Sequence, residues 1–277
     1  MNNAAHLVIC ILAALLAALV IARVVLTCRA AGGAKDSGVD TGAARTCGSR
    51  DVQEDCHAVL TTNAGTVAAL ADGRGKNQGG SVSSSLAVET VLDLFESGSP
   101  FQNPNYFFQN AFKQANRRIL DQLDDGYGGA SVAVILFDGR ELNYAVVGNV
   151  HVAVFRDGNL IQVTEGHTVN VLAEKKYLEG SLTRQDTIAL LRESRLYNYV
   201  GRDEFQNVEV FDKPITLRRR DIIVLMSEGV YEVVPHAALE ETLAGGGDCQ
   251  RMADAVIAAV DRAKGAKENA SIILIAV

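Results

Sequence analysis

Asp138-Gly139 and Asp157-Gly158 each stand between two apolar runs, and this arrangement restricts the chain more than any other feature of it. Asp-Gly between apolar segments is a strong hairpin signal, because both residues tolerate positive φ. The pairs so defined are SVAVILF with ELNYAVVG and HVAVFRD with NLIQV. A third pair, CHAVLTT with TVAALAD, is joined through Asn63-Ala64-Gly65. DIIVLMS and the C-terminal SIILIAV are apolar throughout, as strands covered on both faces are.

Three other segments carry the helical period. Val88, Val91, Leu92 and Phe95 follow i, i+3, i+4, i+7. Phe108, Ala111, Phe112 and Ala115 repeat it after an Asn103-Pro104 start signal, and Met252, Ala255, Val256 and Ala259 repeat it behind an Asp248 N-cap. Antiparallel hairpins with single-stripe helices predict an α+β fold of stacked sheets with helices on the outer faces.

The N-terminal end reads differently. Leu7 to Ala22 contains no charge, and after Arg23 the apolar run resumes to Thr27. A helix over those residues is about 31 Å long, matching a hydrocarbon core of about 30 Å. A cleaved signal peptide is the competing reading, but no Lys or Arg precedes the run and the run exceeds the usual length. Arg23, Arg29, Lys35 and Arg45 all fall at its end or beyond it. The positive-inside rule then predicts a single-pass membrane protein with its C-terminal domain in the cytoplasm. The expected division is a membrane anchor over 1–29, a flexible linker over 30–46 and a folded domain over 47–277.

Charge and cysteines narrow the function. The net charge is −7, and 1–46 holds four basic and two acidic residues, which leaves −9 for 47–277. A domain so acidic, with no basic stripe, is a poor candidate for binding nucleic acid. Cys10, Cys28, Cys47, Cys56 and Cys249 contain no C-x-x-C pair, and a reducing compartment is the simpler reading. His57, His151 and His167 are too dispersed for a metal site and read as satisfied or surface histidines.

Carboxylates gather where strands begin and end. They occur in Arg50-Asp51-Val52-Gln53-Glu54-Asp55, in Ala71-Asp72-Gly73-Arg74-Gly75, in Ser227-Glu228-Gly229 and in Glu268-Asn269. Each alone is ordinary turn chemistry. A site that gathers several such oxygen donors suits hard divalent cations.

In this order, the segments GSRDVQED, ALADGRG, NYAVVGNVHVAVFRDGNLIQVTEGHT, SLTRQDTIALLRESRLYNYVG, LRRRDIIVLMSEGVYEVV and KENASIILIAV resemble the metal-dependent (type 2C) serine/threonine protein phosphatases from Cys47 to Val277. The resemblance implies a four-layer sandwich of two antiparallel β-sheets flanked by helices, here preceded by the transmembrane helix. It implies two Mn²⁺ or Mg²⁺ ions bridged by Asp72, with the Gly73 carbonyl, Glu228 and Glu268 as further ligands. Glu54 and Asp55 support one ion directly or from behind, and Arg50 grips the substrate phosphate. The implied reaction is hydrolysis of phosphoserine or phosphothreonine by a metal-activated water. The implied partner is a phosphoprotein of the sort a serine/threonine kinase makes.

The chain departs from the family pattern at several positions. Glu228 and Glu268 stand where the family has aspartates, each one methylene longer, and Glu232 likewise replaces a usual aspartate. Asn149 stands where bacterial members carry an acid, and Arg74 where members have histidine or methionine. Two readings follow: an active site adapted to longer ligands, or a catalytically silent module that binds a phosphoprotein or regulates a partner. Both substituted ligand positions stayed acidic, which favours the enzyme.

Overall fold

The computed structural model describes residues 39–123, 127–203, 205, 208–211, 213–264 and 267–277. The expected anchor over 1–29 lies outside the described residues. Among the described residues no helix is long and apolar enough to cross a membrane.

Every sheet contact is antiparallel. One sheet runs in the order β1 (Thr41–Thr46), β11 (Ala270–Ala276), β10 (Ile222–Met226), β6 (His151–Arg156) and β7 (Asn159–Gln162). The other runs β2 (Asp55–Thr62), β3 (Gly65–Gly75), β4 (Gly128–Phe137), β5 (Glu141–Val147) and β8 (Glu209–Val210), with β9 (Ile215–Thr216) also on β5. All three expected hairpins form. At the Asp157-Gly158 turn both residues take positive φ, 51° and 83°, the geometry for which Asp-Gly is selected.

The strands that read as apolar throughout are covered on both faces. In β4, Val132, Val134 and Leu136 pack outward beneath helices, while Ala133, Ile135 and Phe137 pack inward against the second sheet. In β11, Ile272 and Leu274 face outward, and Ile273 and Ile275 face the other sheet. The outer layer on the β2–β5 side is α1 (Gly79–Ser97) with α2 (Pro104–Gln122). The outer layer on the β10–β11 side is α5 (Glu228–Tyr231), α6 (His236–Ala244) and α7 (Cys249–Arg262). Between β7 and β8 the chain forms α3 (Val169–Leu178) and α4 (Arg184–Leu190). Two expected caps are present: Asn103 accepts from the Tyr106 amide at 3.0 Å, and Asp248 accepts from the Arg251 amide at 2.8 Å.

One boundary needs correction. Residues 30–46 were expected to be a flexible linker, but Thr41–Thr46 form β1, in register with β11 from Thr41↔Ile275 to Thr46↔Ala270. The small side chains that resemble a tether serve close packing instead. A Cβ on Gly42 would lie 2.2 Å from the Cys249 backbone at the start of α7. The folded domain therefore begins before residue 47.

Candidate metal and phosphate site

Because β3 is antiparallel to β2, its register sets Asp72 directly opposite Asp55. Side chains two apart share a strand face, so Asp72 continues the Ala68–Leu70 face that packs between the sheets. The two carboxylates lie at the end of this layer, where the apolar filling stops. Asp55 is 3% exposed, and its carboxylate accepts from the Ser227 hydroxyl at 2.8 Å. Ser227 in turn accepts from the Ser271 amide at 2.9 Å, which ties β10 and β11 to the pair. Burial pushes the Asp55 carboxyl up to about 6, against the Ser227 hydroxyl that favours its charge. The Asp72 carboxyl is raised well above its usual range, by burial first and then by the charges of Asp55 and Glu228. Arg74 and the Glu228 amide, which donates to it, pull the other way.

Three further loops converge on Asp72. Asn269 is their tie: its side chain donates to the carbonyls of Cys47 at 3.1 Å and Val52 at 3.0 Å, and accepts from the Glu54 amide at 2.8 Å. Gly229 is required at the next approach, since a Cβ there would sit 2.1 Å from the Asn269 carbonyl oxygen. That contact brings the Glu228 and Glu268 loops together. Gly80, at the start of α1, leaves room for the Glu54 carboxylate, which a Cβ there would meet at 2.4 Å. Glu54 is raised by burial, with Arg50 lowering it and Glu268 raising it.

The result is a cleft of about 600 Å³ lined by Arg50, Glu54, Asp72, Gly73, Glu228 and Glu268, among others. Six of the seven residues singled out from the sequence are therefore gathered at one place. The seventh, Asp55, does not line the cleft and lies behind Asp72. Asn269, Ser227, Arg192 and Arg195 were not singled out as site residues, although Asn269, Arg192 and Arg195 line the same cleft. Asn269 and Ser227 flank Glu268 and Glu228 in the sequence, and that adjacency was the available signal. Asn149 is buried, accepts from the Ser131 hydroxyl at 2.8 Å and stands outside the cleft lining.

The donors are carboxylate oxygens and a backbone carbonyl, the hard ligands that Mg²⁺ and Mn²⁺ take. Crowded carboxyls with raised pKa values are what a bound divalent ion would relieve, so the residues fit such an ion in kind. Their arrangement is another matter. Among the described residues no three His, Cys, Asp or Glu side chains already form a ready ligand group. The two longer acids are turned to arginines instead. Arg50 donates to Glu268 from Nε at 3.1 Å and also from Nη2, and Arg74 reaches Glu228 at 3.4 Å.

The histidines need one correction. His167 is satisfied: Nδ1 accepts from the Gly148 amide at 3.1 Å and Nε2 lies 3.2 Å from Glu209. His57 and His151, expected to be satisfied or at the surface, each bury an Nδ1 that has no hydrogen-bond partner among the described residues. Neither lines the cleft.

The family model described as protein phosphatase 2C matches residues 39–184. The serine/threonine phosphatase stp of Listeria innocua is 24% identical over 214 residues, covering 74% of this chain and 82% of that protein. Among solved structures, the S. agalactiae serine/threonine phosphatase superposes with a TM-score of 0.75 at 19% identity, over 86% of this chain and 99% of that one. The catalytic domain of the serine/threonine protein phosphatase PstP, solved in complex with two manganese ions, gives a TM-score of 0.67 at 23% identity, over 86% and 97%.

Proposed function

The chain belongs to the protein phosphatase 2C family, and from that premise we propose that it hydrolyses phosphoserine or phosphothreonine on proteins with two Mn²⁺ or Mg²⁺ ions. The observation that carries this reading is the convergence of Asp72, Gly73, Glu54 and Arg50 on one cleft, at the open end of the inter-sheet layer. Asp72, Gly73, Glu228 and Glu268 would hold the ions, with Asp55 behind Asp72 and Glu54 beside it. When bound, such ions supply Lewis-acid charge and a water of lowered pKa.

The chain's own residues do the rest. Arg50 binds the substrate phosphate through a planar, permanently charged fork, after exchanging Glu268 for phosphate oxygens. Asn269 orients the Arg50–Glu54 loop by accepting the Glu54 amide. Asp55 holds Asp72 at high negative potential, and Ser227 keeps Asp55 in place. The full chain assayed with p-nitrophenyl phosphate and a phosphothreonine peptide, with and without Mn²⁺, tests this reading. Mn²⁺-dependent release of phosphate from both is expected, and no release from either would refute it.

The Arg50–Glu268 and Arg74–Glu228 pairs favour a second reading, a silent module whose ligand positions are occupied by its own arginines. Retained peptide binding without any phosphate release would select it.

We further propose that residues 7–27 anchor the chain in a membrane with the domain on the cytoplasmic side. The 21-residue apolar length and the arginines confined to its C-terminal end support this. A reporter fused after Val277 and active only outside the cytoplasm would contradict the orientation.

A further inference from the structure

Beside the cleft, residues 195–200 form an extended strip that alternates strictly. Leu196, Asn198 and Val200 are buried, while Arg195 is exposed and Tyr197 and Tyr199 are half-buried. The strip is held on several sides. Val200 exchanges both backbone hydrogen bonds with Ala130, at 2.9 and 3.0 Å, and the Tyr197 amide donates to His167 O at 3.0 Å. The Val169 amide donates to Arg195 O at 2.9 Å. Beyond it, buried Asn116 accepts from the amides of Gly201 at 2.6 Å and Arg202 at 3.1 Å and donates to Arg202 O at 3.1 Å. The outward side chains are therefore presented from a fixed backbone.

Those side chains line a second open cavity of about 580 Å³, and Arg195 lines both it and the cleft that holds Asp72. Arg195 is the residue that the two linings share among the described residues. Arg195 forms no ion pair among the described residues, unlike Arg50 and Arg74. Arg202 is braced over the Tyr199 ring, 5.7 Å from its centroid, and donates to the Tyr197 carbonyl. Asp203 also belongs to the lining, next to Arg202, and Arg195 carries the positive charge of the strip at the end shared with the cleft.

Resting on the phosphatase reading, we propose that Arg195, Tyr197 and Tyr199, with Arg202 bracing the Tyr199 ring, form a subsite for an acidic peptide segment beside the phosphorylated residue. Arginine pairs with carboxylates in a two-pronged fork, and the tyrosine rings supply a flat apolar wall for an extended chain. At about 3.3 Å per residue, Arg195 to Tyr199 spans about 13 Å, room for about four substrate residues. The acidic residue nearest the phosphorylated one meets Arg195.

The test uses the full chain and phosphothreonine peptides flanked on both sides by either Asp or Lys. Binding is read by fluorescence anisotropy without added metal, and hydrolysis is read with Mn²⁺. The Asp-flanked peptide is expected to bind at least about 10-fold tighter, and Arg195→Glu is expected to reverse the preference toward Lys. Arg195→Gln, which changes charge at an exposed side chain, is expected to abolish the preference in either direction. Equal affinity of the parent for both peptides, or an unchanged preference in Arg195→Glu, overturns the subsite. So does tighter binding of a single-stranded oligonucleotide than of the Asp-flanked peptide. Equal kcat/KM on both peptides removes the subsite and leaves the phosphatase reading standing. A retained Asp preference with no hydrolysis does the reverse.

Discussion

Asp55 and Asp72 are direct partners across the β2–β3 ladder, yet only Asp72 reaches the cleft. One carboxylate lines the cleft while the other presses charge on it from behind, held by Ser227. Asp72→Asn removes the carboxylate that both ions would share and relieves this repulsion. Mn²⁺ binding by calorimetry is expected to be lost, while the metal-free protein gains about 1 kcal/mol of stability, as at other strained functional positions. Undiminished Mn²⁺ binding would remove Asp72 from the site.

Arg50 is held by Glu268 from a loop 218 positions away. Arg50→Ala is expected to lower kcat/KM on a phosphothreonine peptide by about 100-fold, the usual cost of losing a charged donor to a transferring phosphoryl group. Arg50→Lys is expected to recover little, because a point charge does not replace a planar fork. Full recovery by lysine would mean that Arg50 acts through charge alone.

Glu228 reaches Arg74 at 3.4 Å and begins α5, its amide donating to the Asp72 carboxyl. Glu228→Asp retracts the carboxylate by about one bond, large against the roughly 0.2 Å tolerance of a metal site. Mn²⁺ affinity is expected to fall by about 10-fold or more. If Glu228→Asp combined with Glu268→Asp instead creates activity in a silent parent, the silent-module reading holds.

His151 stacks on Tyr231, ring centroids 3.8 Å apart, and burial lowers its pKa from 6.5 to about 4. His57 is lowered to about 4 as well, by burial first and by Arg45 second. Between these values the unfolded chain binds more protons than the folded one, so stability rises with pH through the window and falls on acidification. Each histidine contributes a loss on the order of 2 kcal/mol between pH 7 and pH 5. Asp55, raised to about 6, works in the opposite sense, so the measurement compares parent with His151→Phe by urea unfolding at both pH values. The variant keeps a ring against Tyr231 and is expected to lose less stability at pH 5 than the parent. Parallel losses would show that His151 is protonated in the folded state.

The layered sandwich was legible in the sequence because strand and helix periods are local properties. Val132 to Phe137 reads apolar on both faces whatever it packs against, and Asp157-Gly158 takes its positive φ values from its own two residues. The β1 strand was not legible. Thr41–Thr46 is small and polar, and what makes it a strand is the pairing with β11 and the close approach of α7 over Gly42. The Arg195–Tyr199 strip was hidden for the same reason, since its alternation depends on the Val200 pairing with Ala130.

By itself the sequence determined which residue types the site holds: carboxylates, glycines and an arginine at the ends of apolar strands. Only the tertiary structure decided how their charges pair. Gly229 packs against the Asn269 carbonyl, and Asn269 binds the Arg50 loop, so residues more than 200 positions apart come within hydrogen-bond reach. At that range the longer arms of Glu228 and Glu268 meet Arg74 and Arg50. No local pattern encodes those pairs, because the energy of an ion pair depends on a distance that only the folded loops set.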